Sequence, residues 1–167
     1  MSNMHDKKRQ ALLQMMDVSH WREICAFTFN FESTLYTPDG RQRLDEHICQ
    51  KELRHFLNKL NRLLFRGAYR HRKVRLRVIP ILERSAGGHW HYHAAIEPPA
   101  GVPINTFTEF VMTLWEMTPL GTGHGAHEVG ADHGWLRYMA KLRSKSHFED
   151  FFDCIDTVNY NNPVGCR

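Results

Sequence analysis

The sequence predicts an α+β domain in which helices pack on one face of an antiparallel sheet. Three observations carry that expectation. Residues 74–83 and 89–97 alternate in polarity on either side of Ser85-Ala86-Gly87-Gly88 and read as a β-hairpin. Residues 43–65 repeat apolar side chains at three- and four-residue steps and read as a long amphipathic helix. Finally, 167 residues with 42% hydrophobic and 24% charged content suit one globular domain with a real core, and the chain is too short for a multidomain motor.

Residues 1–20 read as a polar N-terminal extension with a short helical tendency, residues 21–160 as the domain, and residues 161–167 as a C-terminal tail. Residues 24–31, Ile-Cys-Ala-Phe-Thr-Phe-Asn-Phe, favour a first strand, which Thr37-Pro38-Asp39-Gly40 follows with turn chemistry. In the long helix Leu53, Phe56, Leu57, Leu60, Leu63 and Leu64 form the apolar face, with Arg54, Lys59, Arg62 and Arg66 elsewhere and Gly67 as the stop. Within the hairpin, Val74, Leu76 and Val78 alternate with Arg75 and Arg77. Pro80 lacks an N–H and requires an edge position or a bulge, so the facing of Arg75 and Arg77 stays open.

Thr106 and Glu109 have capping-box spacing ahead of a helix whose apolar face is Phe107, Phe110, Val111, Leu114 and Trp115. Residues 121–132 form a glycine- and histidine-rich loop with room for a short strand, 134–146 a third helix and 148–158 a last strand. In that loop His124, His127, Glu128, Asp132 and His133 match no zinc-ligand spacing.

Net charge is +4, and Lys and Arg concentrate in residues 51–77 and 137–145, which suits a polyanionic partner. Cys25, Cys49, Cys154 and Cys166 show no paired metal-ligand spacing and read as reduced thiols of a cytoplasmic protein. The apolar run at 11–16 is broken by Gln14 and followed by Asp17, too short and polar for a signal or membrane segment, so no membrane partner is expected.

The segment richest in chemistry is Glu83-Arg84-Ser85-Ala86-Gly87-Gly88-His89-Trp90-His91-Tyr92-His93. A hairpin centred near Gly87 sets Glu83 opposite His91, and period-two alternation puts His91 and His93 on one face, with Trp90 and Tyr92 turned to the core. Two imidazoles and a carboxylate can bind a divalent ion while leaving positions open for a phosphate oxygen. Because His89 shares that face, His89 and His91 are an alternative pair. Further along, Tyr138, Lys141 and Lys145 line one side of the expected third helix, with Arg137 beside them and Trp135, Met139 and Leu142 on the adjoining apolar side. A neutral phenol is a poor nucleophile, so a neighbouring lysine and a polarised phosphate are the features that would activate Tyr138.

In order, Phe27-Thr28-Phe29-Asn30, His91-Tyr92-His93 with Glu83, and Tyr138-Met139-Ala140-Lys141 resemble the motifs of the HUH superfamily of rolling-circle replication initiators. The resemblance spans residues 24–145. It implies a five-stranded antiparallel sheet of ferredoxin/RRM-like type flanked by helices, with metal and tyrosine over one sheet face. It also implies nicking and rejoining of single-stranded DNA at an origin hairpin or nick site. Tyr138 would form a 5′-phosphotyrosine, Lys141 would orient or neutralise the phosphate, and Glu83, His91 and His93 would hold Mn²⁺ or Mg²⁺. Arg75, Arg77, Arg137 and Lys145 are the expected DNA contacts. Position 134 is Gly and position 142 is Leu, which matches the single-tyrosine class. Unwinding is then expected from a host or separate helicase. The rival expectations are a single-tyrosine transposase acting on single-stranded DNA and a non-catalytic nucleic-acid-binding domain.

Overall fold

Large apolar residues alternate with smaller ones along Cys25–Asn30, so this strand, β1, sends Cys25, Phe27 and Phe29 to one side of the sheet and Ala26 to the other. The computed structural model describes residues 7, 10, 11, 14–123, 125–129, 131 and 154–163. After β1 come β2 (Thr34–Thr37), β3 (Gly40–Arg43), α1 (Glu46–Arg72), β4 (Val78–Arg84), β5 (Trp90–Ile96), α2 (Ile104–Glu116) and β6 (Ala126–Val129). The antiparallel sheet runs β4-β5-β1-β6, and β2 and β3 form a separate ribbon. The expected third helix at 134–146 lies outside the described residues.

Among the described residues the sheet has four strands, where the family resemblance implies five. Among the described residues, 154–163 meet the outer edge of β4 through isolated bridges, Ile155 to Ile81 and Asn161 to Val78. Between them the Asp156 carboxylate accepts from the Val158 and Asn159 N–H groups, a local turn that takes the backbone off the ladder. Pro80 suits this edge. Val78 donates outward to the Asn161 carbonyl, so two residues on Pro80 turns its missing donor the same way, while its own carbonyl accepts from Asp156. Residues 74–77 stay out of the strand because the Leu76 N–H is taken by the Asn61 side chain of α1.

Asp45 caps α1 by accepting from the Ile48 N–H, and Cys49, Leu53, Phe56, Leu57 and Leu60 form its buried face. The helix continues past Gly67 to Arg72. Its interruption falls one residue earlier, at Arg66 (φ 45°), and Lys73 (φ 55°) ends the second piece. α2 starts behind Pro103, whose carbonyl accepts from the Phe107 N–H, so Thr106 lies inside the first turn and is not the cap.

Both helices pack on one face of the sheet. Phe27, Phe29, Phe31, Tyr92 and Ile96 meet Phe56, Leu60, Phe107 and Trp115 there. Trp115 packs against Phe29, Phe31 and Phe56 with ring centroids 4.9, 5.2 and 5.3 Å away, and its indole N–H donates to the Asn30 carbonyl. This packing dictates Gly121, where a Cβ would stand 2.1 Å from the Trp115 carbonyl oxygen. On the opposite face Ala26, Ile79, Ile81 and Ala95 form a smaller core with Met16, Val18, Trp21, Ala131 and Ile155. Among the described residues, packing against this core already includes Met15 and Met16, ahead of Trp21.

Candidate metal centre

The β4–β5 turn fixes the register of everything that follows. Ser85 donates to the His89 carbonyl at 2.9 Å and Gly88 to the Ser85 carbonyl at 2.8 Å, with Gly88 at φ 83°, a conformation that glycine adopts without steric cost. Arg84 then pairs with Trp90, Glu83 with His91 and Ile81 with His93. Alternation turns Trp90 and Tyr92 to the helical face, where Tyr92 is fully buried and the Trp90 indole donates to the Leu44 carbonyl. It turns Glu83, His91 and His93 to the other face, beyond Ile81 and the small core.

Glu83 Oε2 lies 3.7 Å from His91 Nε2 and 3.9 Å from His93 Nε2. One donor atom from each of the three side chains lies within 4.8 Å of the others. All three are half-buried, and the two imidazoles meet edge to face with centroids 5.0 Å apart. Among the described residues His89 stands outside this group, exposed in the turn beside Gly87, so the histidines of the cluster are His91 and His93.

Thr28 adds a support that motif spacing did not reveal. It pairs with His93 across β1 and β5, and its Oγ1 lies 3.2 Å from His93 Nδ1. A ring that donates from Nδ1 to this hydroxyl presents the Nε2 lone pair toward Glu83. Ligands about 2.0–2.2 Å from a shared ion stand roughly 3–3.6 Å apart, so small side-chain rotations suffice to bring Glu83, His91 and His93 onto one. Three nitrogen and oxygen donors at a partly open site leave coordination positions for an outside oxygen. The group can hold a metal ion.

Tyr92 sits between the two histidines in sequence but takes no part in this chemistry. Burial raises its phenol above the ordinary range, and Asp156, whose Oδ2 accepts the Tyr92 hydrogen bond at 2.7 Å, adds to the effect. It stays protonated and faces the helices.

Of the basic residues expected to meet DNA, the two that are described, Arg75 and Arg77, are engaged away from the cluster. Arg77 donates to Glu97 at 2.7 Å, and the Arg75 guanidinium lies 4.7 Å over the Tyr69 ring. Arg77 is roughly 20 Å from Glu83 along the extended chain. Tyr138, Lys141, Arg137 and Lys145 fall outside the described residues, as do His124, Asp132 and His133 of the histidine-rich loop. His127 stands on β6 opposite Phe27, exposed. Among the described residues no helix is long and apolar enough to cross a membrane. Comparison with protein-family models, curated proteins and solved structures finds no match to this chain.

Proposed function

We propose that the chain is a metal-dependent single-strand DNA endonuclease of the HUH type, a single-tyrosine domain that nicks and rejoins DNA at a replication origin. The observation that carries this reading is the convergence of Glu83, His91 and His93 on the sheet face opposite the helices. The same face carries the small core in which Ala131 and Ile155 are buried, while Tyr138 is assigned as the nucleophile on its resemblance to the family motif. Ile81 of that core pairs directly with His93.

Glu83, His91 and His93 would hold a divalent ion, which when bound would supply positive charge to a phosphate oxygen, and Mn²⁺ suits two imidazole ligands better than Mg²⁺ does. The Tyr138 oxygen attacks the scissile phosphorus, its proton passes to solvent, and the bond to the 3′-oxygen breaks as that oxygen takes up a proton from solvent. The products are a 5′-phosphotyrosine and a free 3′-hydroxyl. Lys141 neutralises charge on the transferring phosphate, and attack by the 3′-hydroxyl reverses the step. Single-stranded DNA is the partner, with a separate helicase opening the duplex.

Covalent capture of a labelled single-stranded oligonucleotide tests this. Tyr138→Phe should abolish the adduct and keep most of the affinity, because phosphate contacts come mainly from basic side chains. Chelation should stop adduct formation, and added Mn²⁺ should restore it at least as well as Mg²⁺. An adduct formed by Tyr138→Phe at the wild-type rate would overturn the assignment of the nucleophile. Binding without any adduct in the wild-type chain would favour a non-catalytic DNA-binding domain.

A further inference from the structure

An open groove of about 590 Å³ lies between the β2–β3 ribbon and the β4–β5 turn. Thr34, Arg41 and Arg43 line one wall, and Arg84, His89 and Trp90 the other. Thr34 pairs with Arg43 and Tyr36 with Arg41, which places all four side chains on the same face of the ribbon. Tyr36 is 79% exposed at the outer end of that face. Arg41 is braced by hydrogen bonds to Thr34 Oγ1 at 3.1 and 3.3 Å. Arg84 lies 5.5 Å over the Trp90 ring and donates to the Gly88 carbonyl at 3.1 Å.

Two features, one of the groove lining and one of the ribbon face that continues beyond it to Tyr36, point to the occupant. Three guanidinium groups face one carboxylate, Glu32, so the charge complement is a polyanion. An aromatic ring left in solvent beside arginines that present planar donors is the combination that holds single-stranded nucleic acid, phosphates on the guanidiniums and a base on the ring. Position adds a third point. The Arg84–Trp90 pair follows the Glu83–His91 pair along the ladder but faces the other way, so the groove and the metal cluster lie on two sides of one hairpin tip.

We infer that this groove binds the stretch of single-stranded DNA flanking the scissile phosphate, with phosphates on Arg41, Arg43 and Arg84 and a base stacked on Tyr36. Only the link to a scissile phosphate rests on the nicking activity proposed above. Strand binding in the groove is independent of it.

The test is fluorescence anisotropy with a labelled single-stranded oligonucleotide, using the full chain with Tyr138→Phe in the presence of a chelator, across a range of salt. Arg41→Ala with Arg43→Ala should lower affinity roughly tenfold or more. The double change should also make the log–log salt dependence shallower by about 1.4, since each single-strand phosphate contact contributes about 0.7. Tyr36→Ala should lower affinity about fivefold or more with the salt slope unchanged. All three side chains are exposed, and an unchanged melting temperature confirms that the variants fold. Wild-type affinity and slope in these variants would overturn the proposal, as would equal binding of a duplex of the same length. If the variants bind weakly while the wild-type chain forms no adduct, the groove stands and the nicking activity falls. If the wild-type chain forms an adduct while the variants bind undiminished, the nicking activity stands and the groove falls.

Discussion

One hydroxyl decides how the metal cluster is presented. The Thr28 hydroxyl contact at His93 Nδ1 orients the ring, so Thr28→Val should weaken Mn²⁺ binding about tenfold in calorimetry. Thermal stability should hardly change, because valine suits a central strand as well as threonine does. Unaltered Mn²⁺ affinity in a folded Thr28→Val chain would show that packing alone orients His93. Two further substitutions set the scale: His93→Ala should remove most of the affinity, whereas His89→Ala should leave it intact. The difference in how readily these residues are read from sequence is physical. Turn residues at Ser85-Ala86-Gly87-Gly88 locate the hairpin centre, and period two then assigns Glu83, His91 and His93 to one face. Thr28 meets His93 from 65 positions away on another strand, and no local pattern reports which strands become neighbours.

At the scale of elements, the outer edge of β4 is closed by the end of the chain, with Asp156 as the clamp. Its carboxylate is 1% exposed and accepts from the Tyr92 hydroxyl, the Asn159 side chain and the Val158 and Asn159 backbone. Asp156→Ala should cost about 2–4 kcal/mol in urea denaturation, because buried donors lose their acceptor together. A loss below roughly 0.5 kcal/mol would mean that apolar burial of Ile155 holds the segment by itself. The same residue explains why the described end of the chain forms bridges where a fifth strand is expected. Apolar residues in 148–158 read as a strand; of these only 154–158 are described, and there an aspartate that bonds the N–H groups two and three residues ahead competes with the ladder for the backbone. In α1 the legible part is the buried stripe from Leu53 to Leu60. Its interruption is not legible, since Gly67 is the residue that suggests a stop while Arg66 takes the left-handed conformation.

Across the whole molecule, the sheet separates two environments: a large dry core under the helices, and a smaller core that leaves the metal ligands partly open. The dry side holds titratable groups that the site does not use. Burial pushes the thiols of Cys25 and Cys49 up from 9.0 to about 12, with Glu23 adding at Cys25 and Asp45 at Cys49, and burial raises the Tyr92 phenol as well. Because these folded-state values lie above the unfolded ones, the unfolded chain releases its protons first as pH rises. The stability they contribute is complete below about pH 9 and is lost as pH climbs toward about 12. The metal-free chain should therefore unfold in one cooperative alkaline transition within that window, followed by near-ultraviolet circular dichroism. Iodoacetamide should label Cys25 and Cys49 slowly before the transition and rapidly through it, while the half-buried Cys154 reacts early. Native circular dichroism persisting beyond about pH 12, or labelling of Cys25 and Cys49 well before the transition, would show that the core under the helices admits water and does not hold these groups neutral.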